Sequence, residues 1–178
     1  MISRMDRSPF AEWWRTIDRP LLGVLLFLML CGVLLSFAAS PAVAERIGVD
    51  QYHFIERHAL FLVPAALLLI GASFLDPRQV RRASFLLFGI SILLMIAVLF
   101  LGAEVKGSRR WLSLAGITLQ PSELMKPAFV VITAWLFAEN SRRPEIPGNL
   151  FSIILFGIVA ALLLAQPDFG QTMLTGFV

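Results

Sequence analysis

Of 178 residues, 58% are hydrophobic and 15% charged, and the mean hydropathy is +0.81, which excludes an ordinary soluble domain and points to membrane-crossing helices. The net charge of +3 does not ask for nucleic acid as a partner, because basic residues in such chains mostly set topology and meet anionic headgroups. Cys31 stands alone inside the first apolar run, so it reads as a small packing residue and no disulfide framework is implied.

Gaps between successive charged residues mark the predicted elements. Five long gaps run over 20–44 (25 residues), 58–75 (18), 83–103 (21), 127–138 (12) and 146–167 (22), and a last piece begins at Phe169. Before the first, Ser8 and Pro9 can open a short helix as N-cap and first helical residue. It carries Phe10, Trp13 and Trp14 beside Glu12, Arg15 and Arg19, so residues 1–19 read as a cytoplasmic segment with an interfacial helix. That helix is an aromatic anchor for the first span or a docking point for a cytoplasmic partner. The first apolar run is too long for a signal-peptide core and further runs follow it, so it reads as an uncleaved span.

Spans are predicted at about 20–40, ending before Pro41, then 59–75, 83–101, 121–138 and 150–165, with an incomplete one at 170–178. The fold class is an all-α polytopic transmembrane helix bundle of five complete spans and a truncated sixth. Residues 44–57 and 76–82 read as loops, and Pro64 kinks or starts the second span. His53 and His58 lie five apart with no Cys or third ligand close by, which suits packing or solvated histidines better than a metal site.

Orientation follows from Lys and Arg counts in alternate loops. Arg4, Arg7, Arg15, Arg19, Arg78, Arg81, Arg82, Arg142 and Arg143 make nine on one side, against six on the other. The N-terminus is therefore expected in the cytoplasm. Four of the six outward basic residues, Lys106, Arg109, Arg110 and Lys126, then fall in the single segment KGSRRWLSLAGITLQPSELMK, which asks for a reason such as an anionic ligand on the outer face.

The fourth gap reaches only about 18 Å at ~1.5 Å per residue, short of a hydrocarbon core of about 30 Å. To span, its helix must start near Pro121, which draws Glu123 and Lys126 into the outer edge on one face. Ionisable groups at that depth usually face a protein interior or a water-filled cavity; helix-end complementation and snorkelling would also account for them. WLSLAGITL alternates weakly around Ala115-Gly116 and reads as a short hairpin or re-entrant turn, with Trp111 at headgroup level. Arg109 and Arg110 could hold phosphate oxygens, with Lys106 adding a point charge, or the segment could meet outer-leaflet headgroups. Gln166-Pro167-Asp168 falls on the same side, so Asp168, Glu123 and Lys126 form a constellation if the helices bring them together.

GSRRWLSLAGITLQPSELMKPAF, followed some 45 residues later by AQPDFGQ, resembles the SEDS family (shape, elongation, division and sporulation), the FtsW/RodA family. The opening DRSPFAEWWRTIDRPLL and the loop with Arg46, Phe54 and Arg57 look more like its division branch, typified by FtsW, of alphaproteobacterial type. The resemblance implies a peptidoglycan glycosyltransferase that polymerises lipid II at the outer face of the bacterial cytoplasmic membrane. It also implies a class B penicillin-binding protein and other division proteins as partners, and no nucleic acid. Glu123, Lys126 and Asp168 match residues that line the family's central polar cavity, and Arg109, Arg110, Gln120, Pro121 and Ser122 also fall on motif positions. With Lys106 they are the expected substrate-binding set.

Members usually have ten spans and a catalytic aspartate in a later loop, so residues 20–178 match the N-terminal part of such a domain and no catalytic residue is assigned. Cations would stabilise a departing diphosphate while a base activates the attacking hydroxyl; a divalent cation could share the first role, though nothing identifies a complete metal site. A lipid II flippase and a non-catalytic division scaffold are the alternatives, and clustering of charge outside the span interiors favours surface chemistry over transport. The 178-residue chain alone is expected not to polymerise lipid II, and glycan formation by the purified polypeptide would contradict that expectation.

Overall fold

The computed structural model describes residues 8–48, 50, 52–105, 108–114 and 117–177. Two compact units divide the chain, Met1–Leu75 and Asp76–Val178.

The first unit holds α1 (Pro9–Thr16), α2 (Arg19–Ile47) and α3 (His53–Ser73). Ser8 caps α1 through its hydroxyl, which accepts from Ala11 N at 3.3 Å, and Asp18 caps α2 by accepting from Leu21 N at 3.0 Å. The expected end before Pro41 is wrong: α2 runs through it to Ile47. Proline removes one donor, but inside apolar surroundings a helix that resumes leaves fewer unsatisfied backbone groups than one that stops. What ends α2 is Gly48, whose φ of +71° suits a left-handed cap and whose N–H returns to Ala44 O. α3 likewise begins at His53 rather than 59, with Glu56 in the first turn against the positive helix end, and Pro64 lies within it. α2 and α3 pack antiparallel, with His58 facing Gly32 and the α2 start beside Leu69 and Ser73.

The second unit holds α4 (Pro77–Leu101), a three-stranded antiparallel sheet of β1 (Ala103–Val105), β2 (Ser108–Leu114) and β3 (Ile117–Leu119), then α5 (Pro121–Arg142), α6 (Gly148–Ala165) and α7 (Phe169–Gly176). The loop expected over 76–82 is instead the start of α4. Pro77 at the first position and Gln79 Oε1 accepting from Asp76 N at 2.9 Å open the helix there, which places Arg78, Arg81 and Arg82 in its first turns. Arg81 sits 5.0 Å over the Trp135 ring and Phe85 meets that ring edge-on, tying the basic end of α4 to α5.

Among the described residues, the sheet departs from the expected all-helical body. The expected hairpin is present, with Leu112 opposite Leu119 and Leu114 opposite Ile117, and β1 adds a strand that the sequence did not announce. The core of this unit gathers Met95 of α4, Met125 and Phe129 of α5, and Val159 and Leu163 of α6. Two of its buried hydroxyls bond within their own helices: Thr133 donates to Phe129 O and Ser152 to Gly148 O.

Among the described residues, four helices are long and apolar enough to cross a membrane: α2, α3, α4 and α6. Their outward leucines and phenylalanines, among them Leu35, Leu68, Leu86 and Phe100, lie open on the surface, as lipid-facing residues do. The protein is thus a multi-pass helical membrane protein. α5 has the length, about 33 Å for its 22 residues, but carries Glu123 and Lys126 near one end and Glu139 and Arg142 near the other.

A test of the α5–α6 junction comes from two glycines of α6. A Cβ on Gly148 would collide with the Leu136 carbonyl, whereas Gly157 has nothing near it. Gly148→Ala is expected to lower unfolding stability in detergent by ~1–3 kcal/mol. Gly157→Ala should be neutral or raise stability by up to about 1 kcal/mol, and thermal melts of the two variants check the contrast.

Candidate functional site

The site begins with a buried glutamine. Gln166 ends α6 and is 1% exposed, and its Nε2 donates to Met95 O of α4 at 3.0 Å. An amide in such a place would otherwise leave donors unsatisfied, so this bond fixes where the Gln166-Pro167-Asp168 turn must sit. Asp168 follows as the N-cap of α7: Oδ1 accepts from Gln171 N at 3.3 Å, and its carbonyl accepts from Thr172.

Asp168 is only 5% exposed, and its charge is compensated by Arg110 of β2, whose Nη1 stands 3.2 Å from Oδ2. The contact is an ion pair without hydrogen-bond alignment, so Oδ2 is a buried acceptor that has a counter-charge but no donor among the described residues. Arg110 is itself oriented by Nε donating to Ser108 Oγ at 2.9 Å.

Strand alternation separates the two arginines that sequence adjacency joins. Ser108, Arg110 and Leu112 point one way and are buried or half-buried; Arg109, Trp111 and Ser113 point the other and are exposed. Arg109 lies across from Glu104 in the ladder, so the pair cannot close on one phosphate as a unit. Lys106 lies outside the described residues, as do Gly107 and the Ala115-Gly116 hairpin tip.

At the start of α5, Pro121 and Ser122 are buried and Gln120 Nε2 donates to Ser122 Oγ at 3.1 Å, so Gln120 and Ser122 anchor the helix entry. Glu123 turns outward, half exposed, with Oε2 2.8 Å from Lys126 Nζ. The two clusters meet through Gln171 of α7: its Nε2 donates to Glu123 Oε1 at 2.9 Å, and its backbone N–H is the one that Asp168 accepts. Glu123, Lys126, Asp168 and Arg110 therefore occupy one end of the unit as two ion pairs joined by one residue, Gln171, through its side chain on the Glu123 side and its backbone N–H on the Asp168 side.

Gln171 Oε1 is buried without a donor among the described residues, a second acceptor facing this cluster. Gln166 and Gln171 are the residues that reading the sequence passed over as site members. The signal was there: glutamines beside an apolar helix, where a polar side chain needs a stated partner. Among the described residues, no group of three or more His, Cys, Asp or Glu side chains is placed to hold a metal ion.

The family model described as "Cell cycle protein", for FtsW, RodA and SpoVE, matches residues 19–178. The "Probable peptidoglycan glycosyltransferase FtsW" of Caulobacter vibrioides is 48% identical over 173 residues, 97% of this chain but 44% of the relative. The crystal structure of the Rod shape determining protein RodA of Thermus thermophilus superposes with a TM-score of 0.67 at 30% identity, covering 85% of this chain and 48% of that one. A chain of a peptidoglycan synthase complex, described as coordinating polymerization and crosslinking, also gives a TM-score of 0.67, at 29% identity over 86% of this chain and 44% of its own. The chain thus spans less than half the length of these relatives.

The Arg110–Asp168 pair generates a double-mutant cycle. Arg110→Met leaves a buried carboxylate without its counter-charge, and Asp168→Asn removes the need for one. The cycle should show a favourable coupling of ~1–3 kcal/mol between the two side chains in thermal unfolding, and additive effects would contradict the pairing.

Proposed function

This chain belongs to the FtsW/RodA/SpoVE family of cell cycle proteins, and from that premise we propose that it serves in a peptidoglycan glycosyltransferase that polymerises lipid II during division at the outer face of the bacterial cytoplasmic membrane. Both the C. vibrioides relative, named as such a transferase, and the neighbour from a peptidoglycan synthase complex support the reading. A class B penicillin-binding protein is the partner to expect. In this account α5 crosses the membrane with the other helices, and the sheet, the start of α5 and the start of α7 face outward.

One observation carries the local part of the proposal: two ion pairs, linked by Gln171, stand at one end of a bundle whose core is apolar. Their energetics divide the labour. The Glu123–Lys126 pair is open to solvent on the glutamate side, and exposed pairs contribute about 0–1 kcal/mol, so a diphosphate can recruit Lys126 at little cost. The Asp168 carboxylate is buried while the Arg110 side chain is 36% exposed, so withdrawing its cation costs more than at Glu123 but less than the about 3–5 kcal/mol of a fully buried pair. Arg110 therefore holds the sheet to α7, and Lys126 is the cation that meets the lipid diphosphate. Asp168 Oδ2 and Gln171 Oε1 are acceptors suited to hydroxyl or amide donors of the attached sugar. A Mg²⁺-type ion, held by one or two carboxylates together with substrate phosphate, would draw on Glu123 and Asp168.

Transport is the weaker reading, because the buried polar side chains within the α4–α6 body are Ser84, Ser91, Ser122, Thr133 and Ser152, while the ion pairs stay at helix ends. The test is binding of a polyprenyl diphosphate to the chain in lipid nanodiscs. Lys126→Met is expected to weaken binding ~10- to 100-fold, the loss of a charge-assisted bond of about 1.5–3 kcal/mol, while Glu123→Gln, which frees the ammonium, leaves it unchanged or tighter. Equal binding by wild type and Lys126→Met would remove the proposed role.

A further inference from the structure

A helix of eight residues is not stable in isolation, so α1 must be held by something besides its own bonds. Its hold is Trp13, 9% exposed: Nε1 donates to Ser73 Oγ at 2.7 Å, Ser73 in turn donates to Ile70 O, and the indole stacks on Phe74 with centroids 4.6 Å apart. The satisfied indole N–H and the aromatic stack hold so short an element docked.

Docking through Trp13 leaves the rest of its apolar arc turned away. At 100° per residue, Trp13, Ile17, Phe10 and Trp14 share one side of α1, and Glu12, Arg15 and Thr16 share the other. Phe10 is 55% exposed and Trp14 37%, stacked on each other, with the Arg19 guanidinium 4.9 Å over the Trp14 ring. The height of this face is fixed as well. Arg19 opens one membrane-length apolar segment, Arg19–Pro41, and Ser73 closes the next, Phe54–Ser73. Trp13 on Ser73 therefore holds α1 at the level where both hydrocarbon segments end, and Leu21 and Val24 of α2 are likewise exposed.

We propose that α1 is a membrane-interface brace: Trp13 latches it to the C-terminal end of α3, and Phe10 and Trp14 insert between lipid headgroups and acyl chains. The occupant of the exposed face is a lipid surface rather than a soluble protein. Aromatic rings flanked by arginine are the side chains that gain most at that boundary, where one end of the ring is apolar and the other wet. Acidic residues 6, 12 and 18 nearly balance arginines 4, 7, 15 and 19 over 1–19, so apolar insertion rather than net charge drives the contact.

The test uses the full chain with Cys31→Ser, in phosphatidylethanolamine/phosphatidylglycerol vesicles, spin-labelled at Phe10→Cys in one preparation and at Glu12→Cys in another. The position-10 label should be more accessible to oxygen than to a water-soluble nickel chelate, and the position-12 label should reverse that order. Trp14→Cys gives an independent reading on the same face and should follow position 10. Adding Trp13→Ala should mobilise the position-10 spectrum while a label at Leu28 on α2 is unchanged, which separates loss of the latch from unfolding. Chelate access at position 10 equal to that at position 12, or no change in mobility on Trp13→Ala, would overturn the brace.

Discussion

The bond from Gln166 to the Met95 carbonyl is the constraint on which the charged end of the second unit depends. In an apolar bundle a side-chain amide has few places to go, and its burial is tolerable only with a partner. By taking a carbonyl of α4, Gln166 pins the last turn of α6 and sets the position of Asp168 two residues on. Asp168 then does two things at once, capping α7 with one oxygen and meeting Arg110 with the other. The sheet is held to α7 by that ion pair, and α7 presents Gln171 to Glu123. A chain of dependence thus runs from one buried amide to the ammonium of Lys126.

That chain explains why four charged residues at one end of the unit are not equivalent. Burial decides which cation is structural and which can be lent to a ligand. Arg110 answers a carboxylate that water barely reaches, whereas Lys126 answers one that is half in solvent. The same reasoning gives the first unit its character. There Trp13 is deeply seated and structural because its N–H is satisfied by Ser73, and Phe10 and Trp14 stay exposed.

Much of this was legible in the sequence because charge and hydropathy are strong signals in a membrane chain. The shortness of the uncharged run at 127–138 required a helix starting at Pro121, and α5 starts there. Alternation around Ala115-Gly116 gave the β2–β3 hairpin. Proline and charge misled where backbone satisfaction prevailed: Pro41 sits inside α2, and the arginine-rich 77–82 stretch is helical because Pro77 and Gln79 within it open α4. Adjacent arginines suggested a joint phosphate clamp, but a strand turns neighbours to opposite faces, so only Arg110 reaches Asp168. Gln171 escaped notice because its importance lies in contacts between α5 and α7, across 48 residues of sequence.

The central claim is that Glu123, Lys126, Asp168 and Arg110 act as one site because Gln171 joins them. Gln171→Leu tests it most directly, since it removes the link and no charge. Binding of a polyprenyl-diphosphate-linked sugar in nanodiscs should weaken ~2- to 10-fold, the loss expected for one hydrogen bond of about 0.5–1.5 kcal/mol between the Gln171 side chain and the sugar. Wild-type affinity in the Gln171→Leu chain, with its fold intact by thermal melt, would contradict the account and leave two unconnected ion pairs.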